Sequence, residues 1–344
     1  MTRDPLAGRL TVPVVTGFLG SGKTTLIRRL LTHPGMNRVA VVINEFGEVG
    51  IDSALVAASS ESITLLANGC LCCTVRTDLQ ETLRELFAKR RAGEVIDFDR
   101  VVVETTGLAD PAPVIQTFAS DTLLAAQYRL DGVVTLVDAV NGAVQLDAQV
   151  EAVKQAAVAD RLLVTKADLA GSAAVQALRA RLQALNPHAA VAEAVQGAID
   201  PVFFLDIGLR TARADGAQLD RWLGSSGDGE GYLGNRLATG THDRAIRSFV
   251  LWFDRPFSWS TFTSAMELLT SMRGPDLLRV KGLVNVEGER GPVVVQGVQH
   301  IFHPPVTLDA WPDEGRRSRL VFITRNISRE AVTALFAAVD GLGG

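Results

Sequence analysis

Gly17-Phe18-Leu19-Gly20-Ser21-Gly22-Lys23-Thr24 matches G-x-x-x-x-G-K-[ST] at every fixed position. An apolar, β-branched run, Leu10–Thr16, leads into it, and a helical pattern, Lys23–Thr32, follows. Each residue type has a physical task. Glycines let the backbone curl so that its N–H groups turn inward on phosphate, and the helix N-terminus adds a positive dipole end. Gly20, Ser21, Gly22, Lys23, Thr24 and Thr25 are therefore candidate phosphate-binding residues. Lys23 is set for the β and γ oxygens and Thr24 for Mg²⁺. A strand, glycine loop and helix in this order predict an α/β, P-loop NTPase domain with a mostly parallel sheet.

Downstream segments extend that pattern. Arg38–Ile43, Ile63–Leu66, Arg100–Glu104, Gly132–Asp138 and Arg161–Thr165 read as short buried strands. Thr77–Arg91 and Ala173–Leu185 read as helices, the second stopped by Asn186-Pro187. The texture changes at the glycine- and serine-rich stretch Gly224–Gly231. Residues 1–223 are expected to form the P-loop domain, 224–243 a linker, and 244–344 a smaller α+β domain. In that second unit Ile246–Phe253, Leu277–Val286, Gly291–Val298 and Arg319–Thr324 read as strands. Ser258–Met272 and Arg329–Val339 read as helices.

Three further motifs carry chemistry. Val101-Val102-Val103-Glu104-Thr105-Thr106-Gly107 is an apolar strand that ends in a carboxylate and then a glycine hinge. A carboxylate there can hold Mg²⁺, and the hinge can sense a γ-phosphate by moving. Glu104 joins Lys23 as a catalytic candidate, and Glu45, in the acidic loop Asn44–Asp52, is a second carboxylate candidate for Mg²⁺. Thr165-Lys166-Ala167-Asp168 is a variant of the guanine-reading N-K-x-D motif. Asp168 can accept both N1–H and the 2-amino group of guanine, and the Lys166 stem can cover the base; adenine leaves those groups unpaired. All three cysteines fall in Cys70-Leu71-Cys72-Cys73. An odd number so closely spaced is a poor disulfide framework and a plausible thiolate site for zinc or another soft divalent metal. An extended strand alternates its side chains between faces, so convergence of the sulfurs needs a turn, which Asn68-Gly69 can supply.

Composition excludes other classes. The formal net charge is −4 over 344 residues, with only Lys23, Lys89, Lys154, Lys166 and Lys281 as lysines. Nothing basic clusters to neutralise nucleic-acid phosphates. No apolar run approaches membrane-span length and the N-terminus carries no secretory pattern, so a cytoplasmic protein is expected. His33, His188, His242, His300 and His303 are scattered, and structural roles are expected for them.

The order GFLGSGKTT, NEFGE, NGCLCC, ETTGLADP and TKAD resembles the CobW family of metal-linked GTPases, with Pro111–Asn141 similar to its YjiA-like branch. Leu277–Gly282 (LLRVKG) and Gln296–Gln299 (QGVQ) extend the resemblance into the second unit. The resemblance implies a CobW C-terminal α+β domain, slow hydrolysis of GTP, and transition-metal binding, usually zinc, at Cys70, Cys72 and Cys73. It implies a metallochaperone that serves a client metalloprotein. A zinc-responsive regulator that acts by partner docking, without metal delivery, is the alternative. A third, from a different class, is an ATP-using P-loop enzyme in which Thr165–Asp168 is accidental. Two departures stand out: Ile43 occupies a position where some members carry an acid, and the histidine-rich tract of several zinc-handling members is absent.

Overall fold

The computed structural model describes residues 8–36, 38–44, 63–65, 71–75, 78–205, 207–209, 211–223 and 245–342; of Asn44, 63–65 and 71–75 it describes the backbone alone. The chain opens with β1 (Leu10–Gly17), α1 (Lys23–Leu31), β2 (Val39–Asn44), β3 (Ile63–Leu65), β4 (Leu71–Val75) and α2 (Leu79–Ala92). It continues with β5 (Arg100–Thr105), α3 (Ala112–Ser120), α4 (Thr122–Gln127), β6 (Tyr128–Asp138), α5 (Gly142–Ala148) and α6 (Val150–Val158). Then come β7 (Arg161–Thr165), α7 (Ser172–Leu185), β8 (Ala190–Ala194) and α8 (Gly216–Leu223). The sheet order is β3-β4-β2-β5-β1-β6-β7-β8. Every neighbouring pair from β4 to β8 is parallel, and only β3 runs antiparallel to its neighbour.

Continuous apolar runs become strands covered on both faces, and their residues divide alternately between two cores. Val101 and Val103 of β5 join one core with Val12, Val14, Ala40 and Val42, under α2, α3, α6 and α7. Val102 joins the other with Val15, Val39, Val41 and Leu26 of α1. Helices α1, α2 and α7 fall where the periodicity places them.

Strand β6 begins at Tyr128, ahead of the Gly132 that the apolar pattern predicts. The register shifts at the Val12/Pro13 step, where Pro13 has no N–H to give the ladder, and Asp131 is the extra residue. Helix α6 escaped the periodicity because it is buried nearly all round, from Ala152 to Val158, and so shows no single apolar stripe.

The second unit comprises β9 (Ile246–Phe253), α9 (Trp259–Arg273), β10 (Arg279–Val284), β11 (Val293–Val298), β12 (Ile301–Phe302), β13 (Val306–Thr307), β14 (Ser318–Arg325) and α10 (Arg329–Leu342). Its antiparallel sheet runs β12-β11-β10-β14-β9, with β13 also paired to β11. Ser258 caps α9 by accepting from Thr261 N. One face buries Phe249 and Phe322 against Phe262 of α9 and Phe336 of α10. The other meets the first unit. Leu283, Val294 and Val321 pack on Leu219, Trp222 and Leu223 of α8, while Ile246, Leu278, Val298, Ile301 and Ile323 enter the large core of the first sheet. The expected linker, 224–243, lies outside the described residues.

A buried ion cluster crosses the same boundary. Arg279 Nη2 donates to both Asp160 carboxylate oxygens, at 2.8 and 3.0 Å, and Lys281 pairs with the same carboxylate. Val133 N donates to Asp160 Oδ2 at 2.8 Å. Burial, with Arg279 adding to it, pushes Lys281 down to about 8 against the pull of Asp160. No helix among the described residues is long and apolar enough to cross a membrane.

Candidate nucleotide-binding site

The glycine loop leaves the sheet at the C-terminal end of its central strands, where open parallel sheets place their ligands. Gly17, Gly20 and Gly22 have φ of 146°, 75° and 91°, values that side chains rarely tolerate. A Cβ on Gly17 would lie 2.5 Å from the Leu136 carbonyl oxygen. Ser21 N donates to Phe18 O at 3.1 Å, closing the curl. Gly22 is the residue before α1, so the helix begins directly at Lys23. The Lys23 side chain is buried and donates to Gly17 O at 2.7 Å. Its ammonium is thus folded over the loop. Ser21 Oγ is buried without a hydrogen-bond partner among the described residues, and Thr24 is half-buried one residue beyond Lys23.

Glu104 ends β5 almost wholly buried, at 3% exposure. Its Cα register partners are Val15 of β1 and Ile43 of β2. Thr105 Oγ1 donates to Thr16 Oγ1 at 2.7 Å, fastening the two strand ends together. Beyond them Gly107 lies against the loop: a Cβ there would sit 2.9 Å from Leu19 N. The buried Glu104 carboxylate and the Thr24 hydroxyl are hard oxygen donors, the chemistry that suits Mg²⁺.

The third wall comes from β7. Thr165 Oγ1 donates to Ser21 O at 2.7 Å, joining the Thr165–Asp168 motif to the glycine loop. Lys166 has φ of 55°, and its Nζ donates to Asp138 Oδ2 at 2.8 Å. Asp168 is exposed. Asp138, at the end of β6, is 1% exposed and also accepts from Val140 N at 2.8 Å and Asn141 Nδ2 at 3.0 Å. Burial pushes its carboxyl up, but Lys166, Asn141 and Val140 together hold it below the ordinary value. The sequence reading passed over Asp138. A β-branched strand that ends in an acid, the very pattern that marked Glu104, was the available signal. It also passed over Gln155, the polar side chain on the buried face of α6, whose amide donates to Gly107 O at 3.2 Å and Ala109 O at 3.0 Å.

Of the thiolate candidates, Cys70 lies outside the described residues, as do Glu45, Asn68 and Gly69. Cys72 and Cys73 belong to β4, where the backbone alone is described, in register with Val41 and Val42 of β2. Thr74, the next residue, completes a row across the sheet: Thr74, Ile43, Glu104, Val15. Among the described residues no group of three or more His, Cys, Asp or Glu side chains is arranged to hold a metal. His242 lies outside them.

Comparison with known proteins agrees with this architecture. Residues 11–193 match the model of the CobW/HypB/UreG nucleotide-binding domain, and 246–340 that of the cobalamin synthesis protein cobW C-terminal domain. The chain is 36% identical to the zinc chaperone YjiA of Escherichia coli, covering 96% of this chain and 98% of that protein. It is 31% identical to the zinc chaperone CobW of Pseudomonas aeruginosa, covering 94% and 90%. The crystal structure of Zn(II)-bound YjiA GTPase from E. coli superposes with a TM-score of 0.71 at 34% identity, covering 96% of this chain and 99% of that one. A YjiA triple mutant with one glutamate and two cysteines changed to alanine, also Zn(II)-bound, matches equally well. Two matched domain models in the same order, and identity along nearly the whole chain, lead to one assignment: this protein belongs to the CobW/HypB/UreG family, in the form that carries the cobW C-terminal domain.

Proposed function

We propose that the chain is a GTP-hydrolysing metallochaperone of the cytoplasm. It takes a transition metal, zinc, at Cys70, Cys72 and Cys73 and passes it to a client metalloprotein under control of the bound nucleotide. The names of its relatives, zinc chaperones in two bacteria, support the metal and the class of task.

The nucleotide end of the reading follows from the site. Gly20, Ser21, Gly22 and Thr25 line the phosphate loop, and Lys23 turns from the loop carbonyls to the β and γ oxygens of GTP. Thr24, Glu104 and Glu45 are the oxygen donors for Mg²⁺, which when bound neutralises charge on the transferring phosphoryl group. Lys166, braced by Asp138, covers the base, and Asp168 accepts from guanine N1–H and the 2-amino group. Gly107, packed on Leu19 and held through its carbonyl by Gln155, reports the γ-phosphate by moving.

One observation carries the link from nucleotide to metal. The strand with Cys72 and Cys73 is hydrogen-bonded to β2, which is hydrogen-bonded to β5, so Thr74, Ile43 and Glu104 share a row. Two strand spacings, roughly 10 Å, separate the motif strand from the carboxylate strand. A shift of Glu104 on loss of the γ-phosphate is transmitted through that row to the cysteine segment.

The test is metal analysis with a GTPase assay on the wild type and Cys72→Ala. The wild type is expected to hydrolyse GTP in preference to ATP and to bind zinc. Cys72→Ala should lose zinc affinity yet still bind Mg²⁺–GTP. Because a relative altered at two cysteines was still crystallised with Zn(II), affinity rather than mere occupancy is the quantity to measure. Unchanged zinc affinity in Cys72→Ala rules the cysteine site out.

A further inference from the structure

We propose that Gln299, in the second unit, is a positioning residue for nucleotide hydrolysis in the first. This deepens the reading above and rests on it, since it takes Glu104–Asp110 as the segment that senses the terminal phosphate.

Between Gly107 and Asp110 that segment is held at several points. Gly107 backs onto Leu19 of the phosphate loop. Gln155 of α6 holds the Gly107 and Ala109 carbonyls. Asp110 Oδ1 accepts from Ala112 N at 3.0 Å at the start of α3. The other carboxylate oxygen, Asp110 Oδ2, accepts from Gln299 Nε2 at 2.6 Å, with Lys154 Nζ at 3.8 Å. Of these partners only Gln299 belongs to the second unit.

Gln299 is placed to act as an anchor. It stands in the tight turn between β11 and β12, whose strands pair through Val298 and Ile301. Its φ of 54° is one that few non-glycine residues adopt. The turn cannot drift, because Val298 and Ile301 are buried in the same core as Val114, Ile115 and Phe118 of α3, and β12 packs against α3. The amide that meets Asp110 is therefore fixed to the whole second sheet. A sensing segment tethered at Asp110 has fewer conformations to give up when Gly107 closes on a γ-phosphate, and hydrolysis gains from that ordering. By the same linkage, whatever displaces the second unit loosens the segment.

The experiment uses the full chain and four variants: Gln299→Ala, Gln299→Lys, Asp110→Ala and the double alanine variant. Steady-state GTP hydrolysis, GDP affinity and thermal melting are measured for each. Gln299→Ala is expected to lower kcat about tenfold, within the usual range of coupling between sites, with GDP affinity unchanged because GDP offers nothing for the segment to sense. Gln299→Lys replaces the amide donor by an ammonium and should recover most of the lost kcat, which a general packing defect would not. The double variant should be no slower than Asp110→Ala, since Gln299 acts through Asp110. A kcat for Gln299→Ala within twofold of wild type, or losses that simply add in the double variant, overturns the proposal alone. A wild-type protein that neither binds nor hydrolyses GTP instead removes the reading beneath it.

Discussion

The corner where Lys166 meets Asp138 shows how far single residues decide the site. Lys166 occupies left-handed backbone, at φ 55°, and its ammonium reaches a carboxylate that is 1% exposed. Under the proposed function, Asp138 braces the lysine whose stem covers the base. Asp138→Ala should raise the KM for GTP about tenfold with kcat nearly unchanged, since the hydrogen bond it removes is charge-assisted and remote from the phosphates. A fall in kcat at constant KM would assign Asp138 to the chemistry instead. Residue identity was readable here only in part. Thr165–Asp168 announced itself as a motif, whereas Asp138 offered only the acid at its strand end, since no local spacing links residues 138 and 166.

Among elements, strand ends and loops are fastened directly to one another. Thr165 at the end of β7 donates to Ser21 O, and Thr105 at the end of β5 donates to Thr16 at the end of β1. Thr165→Val keeps the shape of the side chain but leaves a buried carbonyl without its donor, a loss of roughly 1–3 kcal/mol. Urea unfolding should register that destabilisation, and GTP affinity should fall with it; unchanged values for both would show that the loop holds its curl unaided. The elements themselves were largely legible. β-Branched runs such as Val101–Val103 and Leu162–Val164 must become strands covered on both faces, and the glycine loop fixed where the first strand stops. What stayed hidden has physical causes. The early start of β6 was hidden because Arg129 and Asp131 interrupt the apolar run, and α6 lacks a stripe because tertiary packing covers almost all of it.

At the scale of the whole molecule, the two sheets share a hydrophobic boundary with Asp160, Arg279 and Lys281 inside it. His303 belongs to this boundary. Burial, then the charge of Arg279, push it down to about 4 despite the opposing pull of Asp160. An unfolded histidine titrates near 6.5, so between those values the unfolded chain binds the proton that the native chain refuses. Stability present above pH 6.5 is therefore lost as the pH falls toward 4, by at most about 3 kcal/mol from this group. Denaturant midpoints across that range should show a shallower pH slope in His303→Gln than in wild type; parallel slopes would remove His303 from the account. Under the proposed function, the boundary gives the nucleotide segment a mechanical partner in the second unit, and the row from Thr74 through Ile43 to Glu104 is its route to the cysteines. That route is the central claim, and the most direct test is zinc titration of the Mg²⁺-loaded protein with a non-hydrolysable GTP analogue and again with GDP. The account predicts zinc held at least about tenfold more tightly with the triphosphate; equal affinities in the two states would contradict it.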